Sequence, residues 1–341
     1  MENKSNKNIN RRNFLKVVGG TALASAAVLP GCKNRQEAAH TATTEVPTDQ
    51  MTYRTNPKTG EKVSLLGYGC MRWPTLSGGS ARDGADEIDQ EEVNRLVDFA
   101  IAHGVNYFDT AYPYHGGMSE KFCGKALAKY PRASYHLASK LPGWLLKCDE
   151  DVPRIFNEQL ANCRTDYFDF YLVHSVHESS WSNYVKYHAY DQLNELRKAG
   201  KIKRLGFSFH GSAEQLPEIL AAGDWDFVQL QLNYFDWDYQ QSRKKYELCA
   251  AAGLQVIVME PVRGGMLNTL CPEAAALLHQ AAPEKSLASW AIRWVASLPN
   301  VLCVLSGMTT LEQVQDNVAS MDPFIPLSTT CLLYTSPSPR D

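Results

Sequence analysis

The sequence predicts an α/β fold: a (β/α)8 TIM barrel with an N-terminal hairpin at its bottom. Three observations carry that expectation. Between residues 51 and 326, short apolar, β-branched or aromatic runs alternate with amphipathic stretches, the pattern of a parallel sheet covered on both faces. The runs number eight, the strand count of a closed barrel. The first run supplies Gly67-Tyr68-Gly69-Cys70 and then a long polar loop, where a doubly wound dinucleotide-binding sheet would carry G-x-G-x-x-G.

The chain starts outside that barrel. Residues 1–32 read as an export signal, with polar residues leading into Arg11-Arg12-Asn13-Phe14-Leu15-Lys16 and the apolar run VVGGTALASAAVLPGC. That run falls short of the ~20 apolar residues of a membrane span. Paired arginines followed by Phe-Leu-Lys resemble the twin-arginine signal, an address read by export machinery and not an anchor. The expected destination is periplasmic or envelope-attached. Leu29-Pro30-Gly31-Cys32 is similar to a lipoprotein processing box, so a lipid on Cys32 is the one expected contact with a membrane. Residues 33–50 are polar and aperiodic, a flexible tether. Two short extended runs around Pro57 to Gly60 then form the hairpin.

The eight runs are 64–70, 105–110, 135–140, 168–174, 203–209, 227–234, 254–260 and 301–307. Helical patterns follow most of them. QEEVNRLVDFAIAHG sets Val93, Leu96, Val97, Ala100 and Ile101 on one stripe and stops at Gly104. SEKFCGKALAKY opens on Ser119, an N-cap candidate. Further stretches start near Asp151, Ala189, Ser212 and Ser242, and TLEQVQDNVAS closes the series. Beyond the stretch DPFIPL the periodicity stops: residues 327–341, rich in Ser, Thr and Pro, are expected to be an irregular, truncated or non-native tail.

In a barrel of this kind the chemistry sits at the C-terminal ends of the strands. Those ends carry Asp109, Lys140, His174, Ser208 with His210, Asn233, Glu260, and Ser306 with Gly307. Tyr112 and Tyr114 lie on the loop above Asp109. Taken singly, each has a plain structural reading: a turn aspartate, a surface lysine, an interior histidine. Together on three successive strands they suggest proton transfer. A phenol, normally titrating near about 10, needs a neighbouring cation to act as an acid near neutrality. A lysine can be that cation if a buried aspartate keeps it charged, and a histidine can steer a carbonyl oxygen.

Phe108-Asp109-Thr110-Ala111-Tyr112-Pro113-Tyr114 resembles the signature of the aldo-keto reductases, with His115 where that family usually has glycine. Ser139-Lys140 and Asp169-Phe170-Tyr171-Leu172-Val173-His174 continue the likeness, which spans 51–326. It implies a catalytic tetrad of Asp109, Tyr114, Lys140 and His174, and no metal. It also implies NADP or NAD as cofactor and a small carbonyl compound as substrate, reduced to an alcohol with tyrosine as proton donor.

On the cofactor side the resemblance matches Ser208 and Gln229 to the residues that hold the carboxamide. Asn233 is a further mouth residue. Met259 stands where an aromatic residue usually covers the nicotinamide, and a thioether can serve there. Pro261-Val262-Arg263-Gly264-Gly265-Met266 looks like the loop over the pyrophosphate. Ser306, Gly307, Gln313 and Asn317 fall at the adenosine end, with Gly307 and Gln313 in place of a lysine and an arginine. Losing both cations weakens the hold on a 2′-phosphate, so NADH comes into play. Helix amides after Gly307 could still receive phosphate oxygens, and Asn317 is expected at the adenine. The likeness is nearest to a bacterial branch with MRWP-like, VLSGM and MEPVRGG stretches, whose members often continue into a ferredoxin-like segment. This chain has no C-x2-C-x2-C-x3-C run, so no iron–sulfur cluster is expected in it.

The totals fit. The chain has 341 residues, 44% hydrophobic and 21% charged, with net charge −3, and no basic stripe that would suit nucleic acid. Nine scattered cysteines read as small buried hydrophobes, among them Cys163, Cys249 and Cys303. Two rival functions remain: a nucleotide-binding barrel that acts as a sensor or partner subunit, and a hydrolase using Asp109 and Glu260. Loops 74–89 and 175–189 are the expected determinants of substrate choice.

Overall fold

The computed structural model describes residues 50–80 and 86–328. The stretch expected to be an export signal, Cys32, nearly all of residues 33–50 and the residues after Ser328 lie outside the described residues.

Strands β1 (Tyr53–Thr55) and β2 (Lys62–Ser64) pair antiparallel as the expected hairpin. It plugs one end of the barrel. Val63 is fully buried and packs with Tyr107, Phe170, Phe227 and Leu302 inside the barrel. Arg54 donates to the carbonyl of Leu298 at 3.1 Å, and Lys58 donates to that of Trp225 at 2.9 Å. Those carbonyls precede barrel strands, so the hairpin spans the N-terminal rim, opposite the chemistry.

The barrel closes in the order β10-β3-β4-β5-β6-β7-β8-β9. Its strands are β3 (Leu66–Gly69), β4 (Tyr107–Asp109), β5 (His136–Leu141), β6 (Phe168–Val176), β7 (Ile202–Phe209), β8 (Phe227–Gln231), β9 (Gln255–Met259) and β10 (Val301–Ser306). Each overlaps its predicted run, and all the pairings within the barrel are parallel. The strands read as continuous apolar runs because one face fills the barrel and the other meets helices.

The helices are α1 (Gln90–Ala102), α2 (Ser119–Leu127), α3 (Asp151–Cys163), α4 (Glu178–Lys186), α5 (Ala189–Lys198), α6 (Leu216–Ala221), α7 (Asp236–Tyr239), α8 (Ser242–Ala251), α9 (Pro272–Ala281), α10 (Leu287–Ala296) and α11 (Leu311–Met321). Helix α1 buries Val93, Leu96, Val97 and Ala100, as its periodicity predicts, and Asp89 caps it by accepting the Glu92 N–H. Three expectations need correction. Ser119 is not an N-cap: it is fully buried, and its Oγ donates to the Cys70 carbonyl at 2.9 Å. Segment 175–189 is mostly helix α4, entered through a reciprocal cap between His177 and Ser180. Helices α9 and α10 precede β10 where none was predicted. The first is alanine-rich and buries only Ala274, so it shows little stripe, whereas the second does carry one, with Ala291, Ile292, Trp294 and Val295 buried, which sequence reasoning passed over. Cys163, Cys249 and Cys303 are buried free thiols, as expected.

Candidate active site

Asp109 ends β4, and Lys140 lies one strand over near the end of β5. Lys140 is fully buried and its ammonium has three partners: Asp109 Oδ1 at 2.6 Å, the Thr110 carbonyl at 2.7 Å and Tyr114 Oη at 3.3 Å. Three N–H groups thus meet three oxygens, which lets a charge sit in the barrel. The other carboxylate oxygen, Asp109 Oδ2, accepts from Gln229 Nε2 at 3.0 Å, across the barrel from β8. With both oxygens engaged, Asp109 is not free to act as the nucleophile or base of a hydrolase.

Tyr114 reaches this pair because the chain turns tightly after it. His115 (φ 52°) and Gly116 (φ 61°) both adopt left-handed backbone geometry in the short turn Tyr114–Gly117. A histidine there carries strain, and it is held by burial and by the Trp73 N–H, which donates to its Nε2 at 3.1 Å. The competing phenol faces away: Tyr112 Oη donates to Glu158 at 2.8 Å on the helix side. Of the two phenols, Tyr114 is therefore the one that lies at Lys140.

His174 stands next to the phenol, with its ring edge-on to that of Tyr114 at 6.0 Å. Its buried Nδ1 takes no partner among the described residues. On its other side lies Trp144, whose ring is 5.2 Å away and which is 50% exposed at the mouth. Sequence reasoning passed over Trp144; its signal was an aromatic residue four positions after Lys140, on a loop at a strand's end.

The electrostatics assign protonation states. Burial pulls the Lys140 ammonium down, but Asp109 and then Tyr114 outweigh it, and the group titrates above its ordinary value. Burial pushes the Tyr114 phenol up, and the pull of Lys140 is opposed by Asp109, so the net shift is upward. This corrects the simple expectation that the lysine lowers the phenol. Lys140 spends its charge on Asp109 first, and Tyr114 holds its proton. His174 is driven well down by burial, then by Lys140 and His210, which leaves a neutral imidazole.

Behind Lys140 is a buried polar network that sequence reasoning did not foresee. Glu120 accepts from Ser139 Oγ at 2.6 Å and from Gln159 Nε2 at 2.7 Å, and Gln159 also reaches the Lys140 carbonyl at 3.0 Å. Burial pushes the Glu120 carboxyl up, while its hydrogen bonds from Ser139, Gln159 and Asn162 oppose that. The network fixes β5 against α2 and α3 and so fixes where Lys140 projects.

The cofactor candidates divide into free and committed groups. Ser208 Oγ accepts the Ser175 N–H at 2.7 Å and keeps its own O–H to donate. Gln229 lends one N–H to Asp109. Met259 is half-buried at the end of β9 and Pro261 is buried just beyond. Gly264 (φ 65°) and Gly265 (φ 95°) are exposed in a turn that favours glycine. Arg263 is held by the fully buried Asp236 at 3.0 Å and lies over the Phe235 ring. Asn233 is consumed internally, accepting from Asp236 N at 2.7 Å and donating to the Glu260 carbonyl at 3.1 Å. Asn317 is buried and donates to Ser306 Oγ at 2.8 Å, which ties α11 to β10. Gln313 caps its own helix by accepting the Thr309 N–H at 2.7 Å and the Thr310 N–H at 3.4 Å. Two of the amides expected to receive a phosphate, those of Thr309 and Thr310, are therefore already occupied. Among the described residues no group of three or more His, Cys, Asp or Glu could hold a metal ion.

A protonated phenol beside a charged lysine and a neutral imidazole, gathered at the mouth of a (β/α)8 barrel, sets the class of protein: a barrel with its polar groups at the C-terminal rim. The particular family follows from comparison. Residues 65–330 match the model of the Aldo/keto reductase family, and the chain belongs to that family of oxidoreductases. It is 27% identical over 290 residues to L-galactose dehydrogenase of Arabidopsis thaliana, covering 77% of this chain and 86% of that protein. It is 25% identical over 308 residues to the NADH-specific methylglyoxal reductase of Escherichia coli, covering 76% and 91%. Its fold is similar to that of the holo form of aldo-keto reductase AKR11C1 from Bacillus halodurans, with a TM-score of 0.69, 23% identity and coverage of 84% and 95%.

Proposed function

We propose that the protein reduces an aldehyde or ketone to the alcohol with NADH or NADPH, and that Tyr114 gives the proton. The observation that carries this is the contact of the Tyr114 hydroxyl with Lys140, 3.3 Å away, while Lys140 is paired to Asp109 at 2.6 Å.

The residues at the mouth fit a nicotinamide dinucleotide. The Ser208 hydroxyl and the Gln229 amide meet a carboxamide's donors and acceptors, and the exposed Gly264–Gly265 turn leaves room for a backbone approach. When bound, the cofactor supplies the hydride. The chain does the rest. Tyr114 donates its O–H to the substrate oxygen as negative charge develops on it. Lys140 lies within reach to stabilise the phenolate that remains, and Asp109 keeps Lys140 charged throughout. Neutral His174 orients the carbonyl oxygen without competing as an acid, and Trp144 walls that side of the space.

Neither Gly307 nor Gln313 offers a cation to a 2′-phosphate, which supports use of NADH. A relative named as NADH-specific agrees with that reading. The same shortage is what favours the second reading, a nucleotide-holding barrel without useful turnover. We further propose export, on the strength of the Arg11–Lys16 stretch and the apolar run after it.

Stopped-flow oxidation of the bound nucleotide by a panel of carbonyl compounds separates the readings. Wild-type protein should oxidise it. Tyr114→Phe should lose about 10²–10⁴-fold in turnover while nucleotide affinity is kept. Full turnover in that variant would sink the assignment, and nucleotide binding with no oxidation by wild-type protein would favour the second reading.

A further inference from the structure

We propose that Arg72 grips the dinucleotide's pyrophosphate, reaching over the ends of β9 and β10 from the loop after β3. The inference rests on the nucleotide reading above and adds a residue outside the strand ends that suggested it.

Arg72 lies in the short turn Cys70–Arg72 directly after β3. Its stem rests on Gly307: a Cβ built there would come within 2.6 Å of Arg72 Cγ and 3.1 Å of its Cβ. Its Nη2 extends to Gly264, 3.6 Å from where that residue's Cβ would be. The guanidinium thus bridges the β10 end and the turn after β9, two segments far apart in sequence. A side chain at position 307 would displace it, so the bare backbone of Gly307 and the reach of Arg72 belong to one arrangement.

The loop is held so that the arginine stays there. Thr309 Oγ1 donates to the Arg72 carbonyl at 2.9 Å, and the next residue's N–H is bound by His115. Arg72 is half-buried, and its guanidinium takes no hydrogen-bond or ion-pair partner among the described residues. Neighbouring cations are otherwise spent: Arg263 on Asp236, Lys140 on Asp109. Glu260 Oε2 also lies 3.6 Å from the Gly264 point. A phosphate entering here would meet that negative charge, which Arg72 is placed to offset. The ligand chemistry that suits a planar fork over an open glycine turn is a diphosphate diester, whose oxygens accept paired N–H groups. The Thr309 and Thr310 amides cannot replace it, because Gln313 already uses them.

The test is fluorescence titration of the full chain with NADH and with NADPH. Arg72→Ala should weaken both by about tenfold to a hundredfold, the loss expected for a charge-assisted contact. It should also flatten the dependence of affinity on salt. The thermal melt should not move, because the guanidinium makes no bonds to the described residues. Arg72→Lys should recover part of the loss. Gly307→Ala should weaken binding by pushing the arginine aside, and should add little in an Arg72→Ala background. Unchanged affinity in Arg72→Ala would overturn the assignment to Arg72. A loss confined to NADPH would also overturn it, by moving the contact to the 2′-phosphate. Wild-type protein that binds neither nucleotide would overturn both this inference and the functional reading.

Discussion

Replacing Asp109 with asparagine tests the arrangement on which the site depends. In the folded protein Lys140 is fully buried, and its strongest partner is a carboxylate at 2.6 Å. The asparagine would keep the volume but offer one acceptor and one N–H₂ group. Lys140 approaches one carboxylate oxygen, and Gln229 approaches the other at 3.0 Å. One of those donors must then face a donor. Leaving a buried charge without its partner costs about 3–5 kcal/mol, so the unfolding free energy should fall by that amount near pH 7.

The pH dependence has a definite sign. In the wild type, Lys140 titrates above its ordinary 10.5, so its contribution is complete below that value and fades as pH rises through the folded value. In Asp109→Asn the downward pull of burial prevails, and the folded state sheds the proton more readily than the unfolded chain. The variant then gains stability as pH rises towards 10.5, and the gap to wild type narrows from neutral to alkaline pH. Urea denaturation followed by tryptophan fluorescence at about pH 7, about pH 8.5 and about pH 10 measures this. A gap under about 1 kcal/mol near neutrality, or one that does not shrink, would refute the view that the pair holds a buried charge.

Two further outcomes follow from the same geometry. Because His174 is held well below 6.5 and Tyr114 above 10.0, kcat/KM should be flat from about pH 7 to about pH 9; a midpoint near pH 7 that vanishes in a His174 variant would contradict this. Gly143→Ala would set a methyl 2.2 Å from Tyr184 Cζ and push the tyrosine off the Gly143 N–H at 2.7 Å and the carbonyl of His174. We expect a loss of about 1–3 kcal/mol in a thermal melt together with lower turnover, and wild-type values for both would show that Tyr184 does not hold this wall.

The eight barrel strands could be read off the chain because their cause is local. A strand buried on both faces must be apolar along its whole length, and each such run shows in the sequence. Helix α1 was legible for a similar reason, with one stripe of buried positions and a glycine, Gly104, to end it. Helix α9 was not, since it buries only Ala274 and leaves no clear stripe; α10 carries a stripe through Ala291, Ile292, Trp294 and Val295 that the reading of the sequence passed over. Segment 175–189 looked like a polar loop because α4 packs through Trp181 and Tyr184 while its other residues are mostly polar.

The site divides along the same line. Position in the chain identified Asp109, Lys140 and His174 as groups that end neighbouring strands, and similarity of motif added Tyr114. Strand order alone brings such residues to one rim, so the sequence determined the barrel, the rim and which of these groups would gather there. It did not determine which partners each group would take. The hydrogen bond from Gln229 to Asp109, the commitment of Gln313 to its own helix cap and of Asn317 to Ser306, and the reach of Arg72 over Gly307 were set by the folded chain. Only closing the barrel sets those distances, and in a buried site distance decides whether a charge is held, shared or left to meet a ligand.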